Sequence, residues 1–264
     1  LKSKKKIITI HDLIHEKYPT YYNFKDLINS RKKIFHHIDN FICVSESTKE
    51  DLLNIYDIPQ EKVSVIYHGS DHFDKIKIDI SRQKFNFLQK INKPFIFYVG
   101  KRYKYKNFQL LIDAFKNSSL LNKNFKIIFF GGEKISNNEN RIYRNANIYE
   151  NIIHLSGDDE ILKYLYLNAE VMVSTSEYEG FGLNILEAMR HNCPVVAKDI
   201  KVFRELYENK ISYFDDSESL MKILEKMLLL EKSKRNIIID HNDLFKKFNW
   251  QSTCSQMLKI YQNF

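Results

Sequence analysis

The chain has few of the residues that mark specialised structural classes. Its 264 residues include only seven glycines, four prolines and three cysteines. The cysteines are odd in number and widely spaced, which fits neither a disulfide framework nor a zinc site and favours a reducing cytosol. No apolar run approaches the length of a membrane span, and the basic start of the chain precedes only a short strand-like segment, so no signal peptide is visible. We therefore expect a cytoplasmic location, with peripheral contact to the inner membrane face as an alternative.

Several chemistries also lack the residues they need. The sequence has no nucleophile elbow, no Walker loop and no cluster of metal-ligating residues. It has no Asp-x-Asp pair of the kind that holds a divalent cation, and Asp158-Asp159 fits helix capping better. We therefore expect neither a metal nor a cofactor.

The charge is basic but dispersed. Lys and Arg number 41 against 33 Asp and Glu, giving a net charge of +8. That balance suits a phosphate-bearing ligand, a nucleic acid or an anionic membrane face. The lysines are spread along the chain, however, and no basic tract is interleaved with aromatics as a nucleic-acid groove requires. A solvated basic surface is the simplest interpretation, and nucleic acid is not expected as a partner.

Strand-like and helix-like segments alternate along the chain, which predicts parallel α/β layers. The predicted strands are Ile7–Ile10, Phe41–Val44, Val63–Tyr67, Phe95–Val99, Phe125–Phe130, Ile152–Leu155, Val171–Ser176, Pro194–Ala197 and Ile211–Phe214. The predicted helices between them are Lys25–Ile38, Ser47–Tyr56, Phe108–Lys116, Arg141–Ala146, Asp159–Asn168, Val202–Glu208 and Ser217–Glu231, with Ser47 or Thr48 as the N-cap of the second. The segment after Ser70 lacks periodicity. It predicts a linker at 73–93 between a partial domain at 1–72 and a complete one at 94–246, followed by a helix at 247–264.

The most informative stretch is EGFGLNILEAM at residues 179–189. Two carboxylates, Glu179 and Glu187, stand seven residues apart around a Gly turn that opens a helix directly after a buried strand. Such a turn presents free backbone N–H groups to an anion, with the helix dipole aligned. The two carboxylates can therefore address opposite ends of an elongated ligand whose phosphates rest on the amides of Phe181–Leu183, and a sugar nucleotide has that shape. A lone Glu would more simply be a solvated surface charge.

This stretch resembles the E-x7-E motif of retaining glycosyltransferases of family four. The resemblance implies an α/β fold of GT-B type, in which two Rossmann-like domains face each other across a donor-binding cleft. It also implies that Glu179 contacts the donor sugar and Glu187 holds the ribose, with Gly180, Phe181, Gly182 and Leu183 forming the phosphate turn. The family's amino-terminal domain opens with a Gly-rich loop that has no counterpart here, so we expect the first domain to be incomplete.

A second motif, GKRYKYKNF at residues 100–108, leaves the end of a predicted strand, the edge where open α/β sheets bind ligands. Arg102 and Lys106 can converge there on a diphosphate, and Gly100 begins the loop. The block is similar to a G-x-R-x-x-Y-K-N-F pattern in a bacterial surface-polysaccharide branch of the family, which implies that Arg102 and Lys106 neutralise the leaving diphosphate.

A third motif, HDLIHEKYP at residues 11–19, follows the first predicted strand. A His at that position can donate to a sugar hydroxyl or help to hold charge near the anomeric carbon. It looks like the family loop whose His lies near the donor sugar, which makes His11 a catalytic candidate. The family often has Asn where this chain has His68, so the resemblance implies no role for His68.

These motifs lead to one main hypothesis and one alternative. The main hypothesis is a retaining, metal-independent glycosyltransferase that moves a hexose from a nucleotide-diphosphate sugar to a glycan or lipid-linked acceptor. Similarity to O-antigen mannosyltransferases suggests GDP-mannose and surface polysaccharide synthesis. The alternative is a catalytically silent sugar-nucleotide-binding module, because the first domain looks incomplete.

Overall fold

A computed structural model describes residues 5–21, 25–80, 83–230 and 241–262, in which two parallel β-sheets are flanked by helices. The first sheet contains β1 (Ile7–Ile10), β2 (Asn40–Cys43) and β3 (Val63–Val65), paired in parallel in the order β1-β2-β3. Its helices are α1 (Ile14–Lys17), α2 (Lys25–Phe35) and α3 (Glu46–Ile55). The predicted α/β alternation holds in this part of the chain.

The second sheet has six parallel strands in the order β6-β5-β4-β7-β8-β9. These strands are β4 (Phe95–Val99), β5 (Lys126–Phe130), β6 (Ile152–Leu155), β7 (Val171–Ser174), β8 (Val195–Lys198) and β9 (Ser212–Phe214). The helices are α4 (Gln109–Asn117), α5 (Ser119–Asn124), α6 (Asn137–Asn145), α7 (Asp159–Asn168), α8 (Leu183–Arg190), α9 (Lys201–Tyr207), α10 (Ser217–Leu228), α11 (Asn242–Lys247) and α12 (Trp250–Gln262). All nine predicted strands are confirmed, with end points shifted by up to two residues.

Both faces of the second sheet are covered, which explains why its strands are largely apolar. Along β4, Phe95 and Phe97 enter one hydrophobic cluster, whereas Ile96 and Tyr98 enter the other. The alternation follows from the two-residue period of a strand. Each strand is therefore held on both sides, and the loops at its carboxyl end start from fixed points.

Two helix starts are set by capping side chains that apolar periodicity does not show. Ser45, rather than Ser47 or Thr48, caps α3, because its side chain accepts the Thr48 amide at 3.0 Å. Helix α6 begins at Asn137 instead of Arg141, because Ser136 and Glu139 form a reciprocal capping box. Both starts lie closer to the preceding strand than apolar periodicity alone indicates.

The last helix returns to the first sheet. The amide of Trp250 donates to Asp71 at 2.8 Å, and the Thr253 hydroxyl donates to the carbonyl of Tyr67 at 2.7 Å. A Cβ atom on Gly69 would stand only 2.2 Å from the Trp250 nitrogen, so this close approach requires glycine. Helix α12 thus packs on the loop after β3.

Candidate functional site

The two sequence motifs meet because of the strand order. Strands β4 and β7 are neighbours at the point where the order of the second sheet reverses. In open α/β sheets, ligands bind in the crevice at the carboxyl ends of such strands. The loop after β4 carries the Gly100–Phe108 motif, and the loop after β7 leads into the Glu179–Met189 motif. Two segments 70 or more residues apart in sequence therefore share one edge of the sheet.

Three hydrogen bonds hold these loops together. The amide of Glu177 donates to the carbonyl of Tyr105 at 2.8 Å, and the Thr175 hydroxyl donates to the carbonyl of Lys106 at 2.5 Å. Asn107, in the left-handed region at φ +41°, donates from its side chain to the Glu177 carboxylate at 2.7 Å. The sequence did not predict the hydrogen bond between Asn107 and Glu177, because this contact depends on the pairing of β4 with β7.

Lys106 and Glu179 form an ion pair across these loops. Their side chains are 19% and 13% exposed, so both charges are largely withdrawn from water while remaining reachable. The Lys106 ammonium also lies 5.2 Å from the centre of the Tyr105 ring. The structure therefore brings together one residue from each of the two strongest motifs.

Arg102 is held by residues of β5 and α6. It does not join the Lys106–Glu179 pair. Instead its Nε donates to Glu139 of α6 at 2.7 Å, and its guanidinium lies 4.3 Å from the centre of the Phe129 ring. Its Nη1 is buried and has no hydrogen-bond partner among the described residues. A Cβ atom on Gly132 would lie 3.5 Å from that nitrogen, so the free donor adjoins the turn after β5.

The Gly turn between the two carboxylates is fixed on both sides. Gly182, at φ +85°, occupies the N-cap of α8, and a Cβ there would stand 2.6 Å from the Phe203 ring. The Tyr207 hydroxyl donates to the Gly182 carbonyl at 2.8 Å. Leu183 is the first residue of α8, and the first amides of a helix lack intrahelical acceptors. The predicted Gly turn at the start of a helix is therefore present.

Gly180 mainly joins the two domains. Its carbonyl accepts a hydrogen bond from the Ser45 hydroxyl at 2.7 Å, and a Cβ atom at this position would stand 1.7 Å from the backbone oxygen of His11. Any side chain would therefore displace backbone. Phe181 is buried nearby against Phe248, with ring centres 5.4 Å apart.

We expect Gly180→Ala to destabilise the protein by about 1–3 kcal/mol, the usual cost of inserting an extra methyl group into a packed region. Denaturant unfolding measures the change. Gly157→Ala is the matched control, because the atom closest to the added Cβ is the tip of the Ile161 side chain at 2.6 Å, which can turn away. Equal stabilities of the two variants would contradict the close approach at Gly180.

Gly100 shapes the start of the first loop. It lies at φ +115°, and its amide donates to the carbonyl of Phe130 at 2.9 Å. No atom lies within 4 Å of a Cβ built at this position, so the backbone conformation, not crowding, requires glycine here.

Glu187 lies one turn into α8 and is nearly enclosed, with a side chain 12% exposed. Burial raises the pKa of its carboxyl from 4.5 to about 7, opposed by a hydrogen bond from Tyr166 at 2.9 Å and reinforced by Asp159. The imidazole of His72 stands 3.8 Å from its other oxygen. One carboxyl oxygen of Glu187 therefore accepts a hydrogen bond from Tyr166, whereas the other has only the longer contact with His72.

His11 follows β1 and lies against the Gly180 turn through its carbonyl oxygen. Its ring meets His68 from the loop after β3, with Nδ1 of His11 and Nε2 of His68 separated by 3.3 Å. Sequence reasoning assigned no role to His68, and only the folded chain reveals this contact.

A carboxylate of the second domain caps a helix of the first. Glu205 accepts the amides of Glu46 and Ser47 at 2.7 and 2.8 Å, and also the Ser47 hydroxyl at 2.6 Å. The N-terminus of α3 is therefore occupied by this contact. Together with the Ser45–Gly180 hydrogen bond, it sets the position of one domain against the other.

Within the described ranges, no group of three or more His, Cys, Asp or Glu side chains is arranged to hold a metal ion. None of the helices in those ranges is long and apolar enough to cross a bilayer.

Comparisons with known proteins agree with the motifs. Residues 79–242 match the family described as Glycosyl transferases group 1, and residues 1–72 match Glycosyltransferase Family 4. The chain is 26% identical to an uncharacterized glycosyltransferase of Methanocaldococcus jannaschii, over 84% of this chain and 59% of that protein. It is 28% identical to the O-antigen chain mannosyltransferase RfbU of Salmonella typhimurium, over 83% of this chain and 60% of that protein. The chain thus spans about three fifths of the length of these relatives.

The fold is shared with solved structures. Anabaena HepE in complex with UDP-glucose superimposes with a TM-score of 0.80 at 18% identity, covering 98% of this chain and 72% of HepE. A sucrose-phosphate synthase from Thermosynechococcus elongatus gives 0.79 at 20% identity, covering 97% of this chain and 67% of that one. The predicted α/β fold of GT-B type is confirmed, as is the resemblance on which it rested.

Proposed function

Because the chain belongs to the glycosyl transferases group 1 family, we propose that it acts as a retaining hexosyltransferase. It would move a hexose from a nucleotide-diphosphate sugar to a glycan or lipid-linked saccharide in surface polysaccharide synthesis. The observation that carries this proposal is the largely buried ion pair of Lys106 and Glu179. It lies next to the N-terminus of α8, where the strand order of the second sheet reverses.

The groups around that pair suit a diphosphate. Lys106 offers an ammonium, the first turn of α8 offers amides, and Arg102 has one buried donor, Nη1, still without a partner among the described residues. Fixed donors of this kind stabilise charge that develops on a leaving group. We propose that they take the place of a metal ion and that no other cofactor takes part. An unpaired buried guanidinium nitrogen supports an anionic ligand, since such groups normally find an acceptor.

The two carboxylates would serve opposite ends of the donor. Glu179 would contact the sugar, where a carboxylate favours the positive charge that develops at the anomeric carbon. That carbon would exchange its bond to the diphosphate oxygen for one to the acceptor oxygen on the same face, and the acceptor's hydroxyl proton would pass to the leaving diphosphate. Glu187 would accept hydrogen bonds from the ribose hydroxyls. His11, beside the Gly180 turn, would contact the sugar from the first domain.

The relatives suggest the donor. RfbU and the Escherichia coli protein WbdA are both named mannosyltransferases, which supports mannose and hence GDP-mannose. HepE was solved with UDP-glucose, which makes a UDP-sugar the competing donor. We place the reaction in the cytoplasm, with the acceptor presented at the inner membrane face.

Four tyrosines grouped beside Lys106 support a saccharide acceptor. Tyr18 lies 5.6 Å from Tyr21 in nearly parallel planes and 6.2 Å from both Tyr105 and Tyr178. Lys106 connects this group to Glu179, and Tyr21 is 40% exposed. Aromatic rings combine apolar faces with polar hydroxyls, which matches the mixed surface of a pyranose.

We expect Tyr21→Ala to raise the KM for the acceptor severalfold, by about 1 kcal/mol of lost contact, while the donor Kd stays unchanged. Steady-state kinetics at saturating donor measure this. Tyr103→Ala is the control, because Tyr103 is similarly exposed at 42% and belongs to the same loop as Tyr105, but has no ring contact with the four tyrosines in the described structure. An equal effect in both variants would argue against a role of the four tyrosines in acceptor binding.

The pKa of Glu187 predicts opposite pH dependences for binding and stability. The ionised carboxylate of Glu187 accepts hydrogen bonds from ribose hydroxyls better than the protonated carboxyl does. Nucleotide binding should therefore strengthen as pH rises through about 7. Each pH unit below that value should weaken binding up to about tenfold. The raised pKa means that the folded state holds a proton that the unfolded state releases near pH 4.5. Stability from this group is therefore complete below pH 4.5 and lost as pH approaches and passes 7.

Calorimetric titration of a nucleotide from pH 5.5 to 8.5 tests the binding half, with Glu187→Gln expected to be pH-independent. His72→Gln is the control for the neighbouring imidazole. If the pH dependence persisted in Glu187→Gln but vanished in His72→Gln, the assignment would be wrong.

A thermal-shift screen against nucleotide sugars, nucleoside diphosphates and nucleosides, with and without EDTA, tests the proposed function. A ligand present at about 100 times its Kd should stabilise the fold by about 2.7 kcal/mol. Stabilisation by a nucleotide sugar, unchanged by EDTA, is the expected result. Binding without any transfer to saccharide acceptors would favour a silent sugar-nucleotide-binding module, and no stabilisation by any of them would overturn the proposal.

A further inference from the structure

Two histidine rings from different loops of the first domain form a pair beside the Gly180 turn. The rings of His11 and His68 are 5.3 Å apart between centres and inclined by 15°, and their nearest nitrogens are separated by 3.3 Å. His68 is enclosed by Phe181 and Trp250, with ring centres at 5.4 and 5.7 Å. Its second nitrogen, Nδ1, is buried and unpartnered among the described residues. The pair thus contains one hydrogen bond and one orphaned ring nitrogen.

With both rings neutral, two arrangements of protons satisfy that hydrogen bond. If His11 donates from Nδ1, then neutral His68 carries its own proton on Nδ1, where a buried N–H group has no acceptor. If His68 donates from Nε2, its Nδ1 keeps a lone pair and no N–H group is orphaned. Among buried backbone groups, orphaned N–H donors are rarer than under-satisfied carbonyl acceptors, and we apply the same order to the ring nitrogens of His68. The second arrangement is therefore favoured.

We propose that His68 is a positioning residue that donates from Nε2 to Nδ1 of His11 and so fixes His11 as the neutral tautomer with its proton on Nε2. Burial, reinforced by the neighbouring His11, lowers the pKa of His68 to about 4, which keeps His68 neutral at physiological pH. The hydrogen bond at one nitrogen of an imidazole determines which nitrogen carries the proton.

The consequence concerns what His11 can offer a ligand. His11 is exposed, and its free ring nitrogen becomes a hydrogen-bond donor instead of a base. In the proposed function, on which this step rests, that donor would contact an oxygen of the donor sugar beside Glu179. An Asn at position 68 would make a different contact, so the pair is a property of this chain's own residues.

Long-range ¹H–¹⁵N correlation spectra of histidine-labelled protein at pH 7.5 test the tautomer without any ligand, so the result does not depend on the proposed function. His11→Ala identifies the His11 signals. We expect protonated-type Nε2 and unprotonated-type Nδ1 shifts for His11. A proton on Nδ1 of His11, alone or together with one on Nε2, would overturn the proposal.

Two variants of His68 test the consequence for transfer. His68→Phe keeps the ring shape but removes the donor, and should lower kcat about tenfold, the effect of losing roughly one hydrogen bond, while the Kd for the nucleoside diphosphate stays constant. His68→Gln, whose amide can still donate, should retain activity within about twofold. In a His11→Ala background, His68→Phe should cause no further loss. An equal loss in that background would show that His68 acts only through packing.

Discussion

We expect Glu179→Gln to lower glycosyl transfer by about 10²–10³-fold, the range seen when one preorganised electrostatic group is removed from a transition state. The carboxylate is 13% exposed and paired with Lys106, so its charge acts in a partly desolvated site. The amide has the same shape but no charge. Nucleoside diphosphate release in the presence of a saccharide acceptor measures the loss.

The neighbouring carboxylate supplies a control for this experiment. Glu177 lies two residues earlier and accepts a hydrogen bond from Asn107, which Gln can also accept. Glu177→Gln should therefore retain most of the activity, and unfolding curves of both variants should match that of the unaltered protein. Near-normal turnover in Glu179→Gln, or equal losses in both variants, would remove Glu179 from the reaction.

The second large effect concerns the phosphates. We expect Lys106→Ala to weaken binding of the nucleoside diphosphate by about 1.5–3 kcal/mol, the usual cost of losing a hydrogen bond to a charged group. Binding of the bare nucleoside should change much less, because Lys106 lies at the sheet edge with Glu179 and would contact only phosphate oxygens. Paired calorimetric titrations with the two ligands measure the difference.

Substitutions at two other residues of the same loop serve as comparisons for Lys106→Ala. Lys101→Ala removes an exposed charge at the start of the loop and should leave both affinities unchanged. Arg102→Ala should lower both diphosphate affinity and stability, because Arg102 also packs on Phe129 and pairs with Glu139. If Lys106→Ala weakened nucleoside and diphosphate binding equally, Lys106 would be a support of the loop instead of a phosphate ligand.

The sequence was sufficient for the strands, because β4 and β7 are apolar runs bounded by polar loops. It was less reliable for short helices. Helix α5 was not predicted, since its six residues lie between Ser118 and Phe125 and are too short for a helical period to show. The start of α6 follows from Ser136 and Glu139, whose spacing is that of a capping box, whereas apolar periodicity alone predicts a later start.

The arrangement of site residues could be predicted from the sequence only where the residues lie in the same strand–turn–helix unit. Glu179 and Glu187 share one strand–turn–helix unit, so their arrangement around the start of α8 follows from local sequence. The partners of Arg102 did not follow, because Glu139 and Phe129 belong to the next strand–helix unit. The contacts of Gly180 with Ser45 and His11 did not follow either, because those residues belong to the first domain.

The most direct test of the central claim is a calorimetric titration of the protein with GDP-mannose and with UDP-glucose, each in buffer with and without EDTA. We predict saturable binding of one of these donors with the same Kd with and without EDTA, and a loss of at least about 1.5 kcal/mol in Lys106→Ala. Binding that disappears with chelation, or that is indifferent to Lys106, would contradict a metal-free diphosphate site at the edge formed by β4 and β7.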